Sequence, residues 1–248
     1  MTRINYDIIS EKYDSFRSMS ADLAGVISAN AGLFAGARVL DIGCGTGNME
    51  RALADTVDLK MVGVDLSFGM LKSAKAKLPQ AHWIQADSPF LPLQRETFDC
   101  VLMLYVLHHL TDFRAAIRNA YDVLGEGRLV VVTASHKQIE ENFASRFFPS
   151  YASIDKARFP KVSAIVEAMK EAGFSSVSSR EVTVAKVTLD GPYLQKVSNK
   201  HVSTFHIMDE KEFELGLEKM SEYIRRNAGE FCLDHKGILI AGKKTKGR

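Results

Sequence analysis

The chain has 248 residues, 46% of them hydrophobic and 25% charged, and carries a net charge of +2. That length is ample for one α/β domain, or a core with a lid, built on a real hydrophobic interior. So small a charge implies no polyanion partner by itself, and no apolar run approaches the length of a membrane span.

Three widely spaced cysteines, Cys44, Cys100 and Cys232, show no metal-ligand pairing. Two of them sit in strand-like apolar runs, so buried free thiols in a reducing, cytoplasmic setting are expected, with no metal centre. The N-terminus carries Arg3 and Asp7 and lacks an apolar segment of signal length.

In chain order, Tyr6 to Asp14 reads as a helix with Tyr6 and Tyr13 seven residues apart on one face. Val39, Leu40 and Ile42 then form a short run of β-forming residues that meets Gly43, Gly45 and Gly47 without a break. This is a buried strand entering a tight turn, and the apolar face of a helix begins at Met49, Ala52 and Leu53. Glycines at alternate positions let a bulky polar ligand lie against the main chain, and the helix N-terminus beside them offers unpaired N–H groups to a nucleotide-like molecule. Asn48 stands where a dinucleotide fingerprint needs its third glycine, and no Gly-Lys-Ser/Thr follows. What remains is Asp41-x-Gly43-x-Gly45-x-Gly47.

A second buried strand, Met61 to Asp65, ends in a carboxylate at the edge where α/β sheets bind ligands. Ser67 is the expected N-cap of the helix through Met70, Leu71 and Ala74. His82 to Ala86 is a third strand, followed by Asp87 and a loop with Pro89 and Pro92. Thr97-Phe98-Asp99 leads into the fourth, Cys100 to Leu104, continuously apolar as a strand covered on both faces should be. Tyr105 to Asp112 forms its exit and holds the adjacent His108 and His109. Phe113, Ala116, Ile117, Ala120, Tyr121 and Leu124 fall at helical spacing with Gly125 as the stop, and a turn through Arg128 precedes the fifth strand, Leu129 to Thr133.

Two aromatic-bearing inserts follow, 136–160 and 187–229. Between them lie a helix, Val162 to Ala172, closed by Gly173, and a strand region, Val177 to Val187. Asp209 with Glu212 makes a capping-box-like start for a helix with Phe213, Leu217, Met220 and Ile224 on its apolar face. Phe231 to Ala241 completes the sheet, and the basic residues from Lys243 to Arg248 read as a frayed tail. Long inserts in a compact domain are usually lids or binding loops.

The Gly-rich turn, Asp65, Asp87 and Phe98-Asp99, in that order, resemble the class I S-adenosylmethionine-dependent methyltransferases, in particular small-molecule members of the "type 11" kind. The resemblance is strong over residues 38–134 and holds elsewhere by layout. It implies a single α/β domain over 1–248: a doubly wound, mostly parallel seven-stranded sheet with the last strand antiparallel. Within it fall cap helices at 1–34, a cofactor-binding core at 35–135, lids at 136–160 and 187–229, and the last strand at 230–242.

For S-adenosyl-L-methionine as cofactor, the resemblance puts Asp41, Gly43, Cys44, Gly45 and Gly47 along the methionine portion and Asp65 on the ribose. Leu66 lies against the adenine with Met70 nearby, Ala86, Asp87 and Ser88 hold the adenine edge, and Leu104 ends the adjoining strand. Tyr13 and Arg17 are the positions for a residue that reaches the cofactor carboxylate. Tyr105, His108 and His109 fall where the transferred methyl should sit, and are the candidates for catalytic contacts. The paired histidines recur in relatives with varied acceptors and so look more like scaffolding than a dedicated base.

A small, largely apolar acceptor beneath the inserts is expected, met by Phe147, Phe148, Tyr151, Phe159, Tyr193, Phe205 and His206. Aromatics in a lid also serve simply to fill its seam with the core. The competing readings are an RNA or tRNA methyltransferase, which would want a basic stripe and stacking aromatics, and a non-catalytic cofactor-binding module. Nucleic acid and membrane are not expected as partners, and the chain is expected to act as a monomer or homodimer.

Overall fold

A computed structural model describes residues 4–16, 21–88, 91–227 and 232–245. Helices α1 (Tyr6–Phe16) and α2 (Ala21–Ala31) precede the core. The core then alternates β1 (Arg38–Ile42), α3 (Asn48–Ala54), β2 (Lys60–Asp65), α4 (Phe68–Lys77), β3 (His82–Gln85), β4 (Phe98–Leu104), α5 (Phe113–Val123) and β5 (Leu124–Thr133). After it come α6 (His136–Glu140), α7 (Tyr151–Arg158), α8 (Val162–Ala172), β6 (Ser175–Thr188), α9 (Gly191–Ser198), α10 (Ser203–Ile207), α11 (Glu210–Arg226) and β7 (Cys232–Lys244).

The seven strands form one sheet in the order β3-β2-β1-β4-β5-β7-β6. β1 to β5 run parallel, and β7 is antiparallel to both its neighbours. Strand order reverses at β1, which pairs with β2 on one side and β4 on the other. The crevice at the carboxyl ends of these strands is therefore the topological switch point where open α/β sheets bind ligands.

The sheet is covered on both faces, as its apolar strands require. Ala116, Ile117, Ala120, Ile165, Ala168 and Met169 of α5 and α8 pack one face, and Leu23, Ala24, Ile27, Met49 and Leu53 of α2 and α3 pack the other. This corrects one expectation. Only α1 of the N-terminal pair caps the cleft, because the apolar side of α2 is buried against the sheet.

A second correction lies at 124–128, where no separate turn intervenes and β5 starts at Leu124. Gly125 is not a left-handed helix stop, since it has no positive φ. The two glycines answer to close approach instead: a Cβ on Gly127 would collide with the Asp99 carbonyl, at the irregularity between Phe98 and Cys100 in the β4–β5 register. Third, Cys44 and Cys100 are buried but Cys232, at the start of β7, is exposed.

The two inserts, far apart in sequence, share one core. Ala144, Phe148 and Tyr151 from the first pack with Val197, Phe205, Met208, Phe213, Met220 and Ile224 from the second. Asp209 caps α11 by accepting from the Lys211 and Glu212 amides. The expected capping box is incomplete, because the Glu212 carboxylate reaches across to the Ser150 amide at 2.7 Å and ties the inserts together. Among the described residues no helix is long and apolar enough to cross a membrane.

Phe148 is fully buried here, its ring 5.0 Å from Phe205 and 5.9 Å from Phe213, and a Cβ on Gly216 would strike it. Truncating such a ring leaves a cavity that a packed core closes only in part. Phe148→Ala should therefore lower stability by about 3–5 kcal/mol in urea unfolding. A loss below about 1 kcal/mol would mean that the inserts do not share a packed core.

Candidate active site

The Gly-rich turn is built by φ angles that only glycine takes without strain: Gly43 at 79° and Gly45 at 55°. The Gly43 and Cys44 amides both donate to the Val64 carbonyl, at 2.7 and 3.1 Å, which folds the turn back over β2. A Cβ on Gly43 would hit Val106, whereas one on Gly45 would meet nothing within 4 Å, because Gly45 faces the cleft. Gly47 is different. It precedes α3, stands back from the cleft, and lies against Trp83 and Ala74.

Asp65 joins two loops. Its Oδ2 accepts from the Gly45 amide and its Oδ1 from the Ser67 amide, each at 2.9 Å. Burial raises its pKa, and these N–H donors work against the rise. Ser67 accepts from the Met70 amide as N-cap of α4, and the Gln85 amide group holds the Leu66 carbonyl at 3.0 Å.

A cleft of ≈ 2700 Å³ runs from this turn to the inserts. Tyr13, Asp41, Gly43, Cys44, Gly45, Asp65, Leu66, Met70, Ala86, Asp87, Ser88, Leu104, Tyr105, His108 and His109 all line it. Of the sequence-assigned site residues that are described, only Gly47 is missing from its wall; Arg17 lies outside the described residues.

Helix α1 is pinned over this cleft by two carboxylates. Asp7 accepts from the Ser67 hydroxyl and the Gly69 amide at 2.7 and 2.8 Å, and these bonds lower its pKa. Asp14 accepts from Thr46 and Asn48 of the Gly-rich segment at 2.6 and 2.9 Å and pairs with Lys77 at 2.7 Å. The tyrosine spacing had a twin that reveals these anchors: Asp7 and Asp14 are also seven apart, and both fall on the docked face.

Four rings form a ladder along the exit of β4. The Tyr6 hydroxyl lies 3.1 Å from His109 Nε2, His109 and His108 are 3.9 Å apart, and His108 stacks on Phe159 of the first insert at 3.9 Å and 10°. Tyr105, at the end of β4, has φ 52°, an unusual conformation for a bulky side chain. The lid aromatics divide: Tyr151, Phe159, Tyr193 and Phe205 line the cleft, whereas Phe147, Phe148 and His206 do not. Phe147 and Phe148 were expected there, but their rings fill the seam between the inserts.

Sequence reasoning missed Glu50. It is 0% exposed in the first turn of α3, beside Asp41 at 2%. Among the described residues no other residue hydrogen-bonds either Glu50 oxygen or Asp41 Oδ1. Two ionised carboxyls could offer each other nothing, but one proton makes Asp41 a donor to Glu50. Burial pushes the Glu50 pKa up to about 8 and the Asp41 pKa well up, so the pair keeps a proton at neutral pH.

A carboxyl whose pKa is raised by folding contributes its full stability below its unfolded value, 4.5 for Glu, and loses it as pH climbs towards about 8. Stability should fall with a slope approaching about 1.4 kcal/mol per pH unit for the one proton between pH 5 and 8. Glu50→Gln should shrink that slope and be more stable than the parent at pH 8. Urea titrations across this window check it, and an unchanged slope would show that Glu50 ionises freely.

A family model described as "Methyltransferase domain" matches residues 39–127. A demethylmenaquinone methyltransferase of Lactococcus lactis is 27% identical over 216 residues, covering 71% of this chain and 86% of that protein. Among solved structures, a protein from Anabaena variabilis described as a methyltransferase of an antibiotic biosynthesis pathway shares the fold, with TM-score 0.76 at 20% identity. That alignment covers 92% of this chain and 98% of the other. Phosphoethanolamine N-methyltransferase 2 of Haemonchus contortus, solved with S-adenosyl-L-methionine, aligns with TM-score 0.66 at 20% identity over 97% of this chain and 57% of its own. Together these likenesses support a class I S-adenosylmethionine-dependent methyltransferase, with S-adenosylmethionine as its methyl donor.

Proposed function

We propose that this enzyme methylates a small-molecule acceptor held between the ends of the sheet and the two inserts. One observation carries the reading: a single cleft passes from the Gly-rich turn and Asp65, under α1, to Tyr151, Phe159, Tyr193 and Phe205 of the joined inserts. Such a roofed, aromatic chamber suits a compact apolar molecule better than a nucleic acid strand, which needs an open basic track. The likeness to a demethylmenaquinone methyltransferase supports an apolar, ring-bearing acceptor.

The residues present fit the cofactor. The missing Cβ of Gly45 leaves room for the methionine portion against the main chain. Asp65 spends one lone pair of each oxygen on an amide and keeps others for the ribose hydroxyls. Leu66, 44% exposed, together with Met70 and Ala86, offers an apolar seat for the adenine, with Asp87 and Ser88 at its edge. When bound, the cofactor supplies a methyl group made electrophilic by its sulfonium.

What the chain adds is alignment and dryness. Tyr105, His108 and His109 border the place where acceptor and methyl meet, and α1 and the inserts close it from opposite sides. His108 is clamped between His109 and Phe159, and His109 lies against Tyr6. Rings held in this way orient an acceptor rather than carry its proton off.

Three measurements test this. Labelled methyl from S-adenosylmethionine should pass to a fraction of a small-metabolite extract and not to bulk RNA; strong RNA labelling would promote the nucleic acid reading. Asp65→Ala should weaken cofactor binding by about 1.5–3 kcal/mol, the loss expected for hydrogen bonds to a charged group. Calorimetry showing unchanged affinity would remove Asp65 from the ribose. His109→Gln, with cofactor affinity intact, should keep its single-turnover rate within about a hundredfold of the parent, since a larger drop is the mark of general acid–base catalysis.

A further inference from the structure

At the lid end of the cleft, α7 and α10 bury a charged group that the methyl-transfer reading does not use. Arg158 and Asp155 pair at 2.5 Å with both side chains only 8% exposed. Thr204 donates to the same Asp155 oxygen at 2.7 Å, and Arg158 Nη2 also reaches the Ser203 and Thr204 hydroxyls at 3.1 and 3.4 Å. Every hydrogen bond of this guanidinium among the described residues leaves through Nη2. Its Nε is buried without a partner, and among the described residues no bond engages Nη1. A guanidinium has five N–H donors in a fixed fork, and leaving them unmet inside a protein is costly.

The same end of the cleft holds Lys186 and Lys196, neither within ion-pair reach of a carboxylate among the described residues. Its acids are mostly committed: Asp155 to Arg158 and Thr204, Asp190 to the Tyr193 amide at the start of α9, and Glu181 to Lys236. Asp234 lines the cleft as well, but is exposed. The balance of unmet groups is therefore cationic donors, in a chamber whose other walls are aromatic.

Position relates this fork to the reaction. Phe159, the next residue after Arg158, is the ring that stacks on His108. A molecule anchored at Arg158 would lay its body along the ladder that borders the methyl-transfer edge.

We propose that Arg158 is the specificity residue for the acceptor, and that the acceptor is an organic acid: an apolar body carrying one anionic oxygen group that takes the free edge of this guanidinium. The proposal rests on the small-molecule reading above and narrows its substrate class. Asp155 and Thr204 act as positioning residues. They hold Nη2 from behind, so the other edge of the fork is fixed before anything binds.

The test uses the full chain with S-adenosylhomocysteine present. Its probes are 2-naphthoate, cinnamate and decanoate, each measured against its own methyl ester by calorimetry and thermal shift. At least one acid should bind the parent roughly tenfold to a hundredfold more tightly than its ester, the ratio that a charge-assisted hydrogen bond supplies. Arg158→Gln should reduce that ratio to near one while the affinity for S-adenosylhomocysteine stays.

Because a lone buried Asp155 endangers folding of that variant, the double change Arg158→Gln with Asp155→Asn removes both charges together and should show the same collapse. Arg158→Lys keeps the charge without the fork and should retain part of the preference. Acids that bind no better than their esters, an acid preference that survives in the double variant, or no binding of any acid overturns the proposal. If labelled methyl still reaches neutral small molecules, only this inference falls; labelling of RNA instead removes the reading beneath it.

Discussion

One carboxylate sets the geometry on which the cleft depends. Asp65 closes β2 and takes the Gly45 amide on one oxygen and the Ser67 amide on the other, so two loops that share no secondary structure are fixed against the same group. Hydrogen bonds to a charged acceptor are worth about 1.5–3 kcal/mol each, which adds to the packing that Val106, Trp83 and Ala74 give the glycine-rich turn. The order then propagates outward: Ser67 caps α4 and donates to Asp7, and Asp7 with Asp14 seats α1 across the opening. Strand end, turn and cap helix are thus one hydrogen-bonded series, and the sheet supplies its rigid end.

The parts of this series that depend on local pattern could be read from the sequence. Parallel strands buried on both faces must be continuous apolar runs, so β1, β2 and β4 were plain, and Ser67 was recognisable as a cap. Residues set by tertiary approach were not. Gly125 looked like a helix stop, because a glycine after an amphipathic helix usually is one, whereas it lies within β5 against the Glu96 and Phe98 carbonyls. Phe148 and Tyr151 looked alike in sequence, and only the packing of one insert on the other sends the first into the seam and the second to the cleft. Glu50 was invisible for a similar reason: in a helical first turn a glutamate is ordinarily a solvated charge that favours the helix dipole.

The site carries costs that the rest of the fold offsets. Two carboxyls beneath the Gly-rich turn are buried side by side, which raises the pKa of both, and Tyr105 sits at positive φ, a strain of order 1–3 kcal/mol. Both lie near the carboxyl ends of the central strands β1 and β4. The Tyr105 amide still donates to the Val132 carbonyl at 2.8 Å, so the unusual backbone turns the ring without breaking the ladder to β5. Such departures gather where local preference yields to the demands of a site.

The same logic explains why the histidines stand where they do. A helix capping one side of the cleft and a lid covering the other have to be held in register across a gap that substrates must enter, and a continuous apolar contact would close it. A ladder of flat rings, Tyr6, His109, His108 and Phe159, bridges the gap with edges and faces while leaving its side open to the cleft. Imidazoles suit the middle rungs because they stack like aromatics and also make hydrogen bonds, as His109 does with Tyr6, without the volume of a tyrosine. On the lid side His136 anchors the last rung, its Nε2 lying 2.9 Å from the Phe159 carbonyl. The pair of histidines thus links α1 to the first insert through ring contacts on both sides.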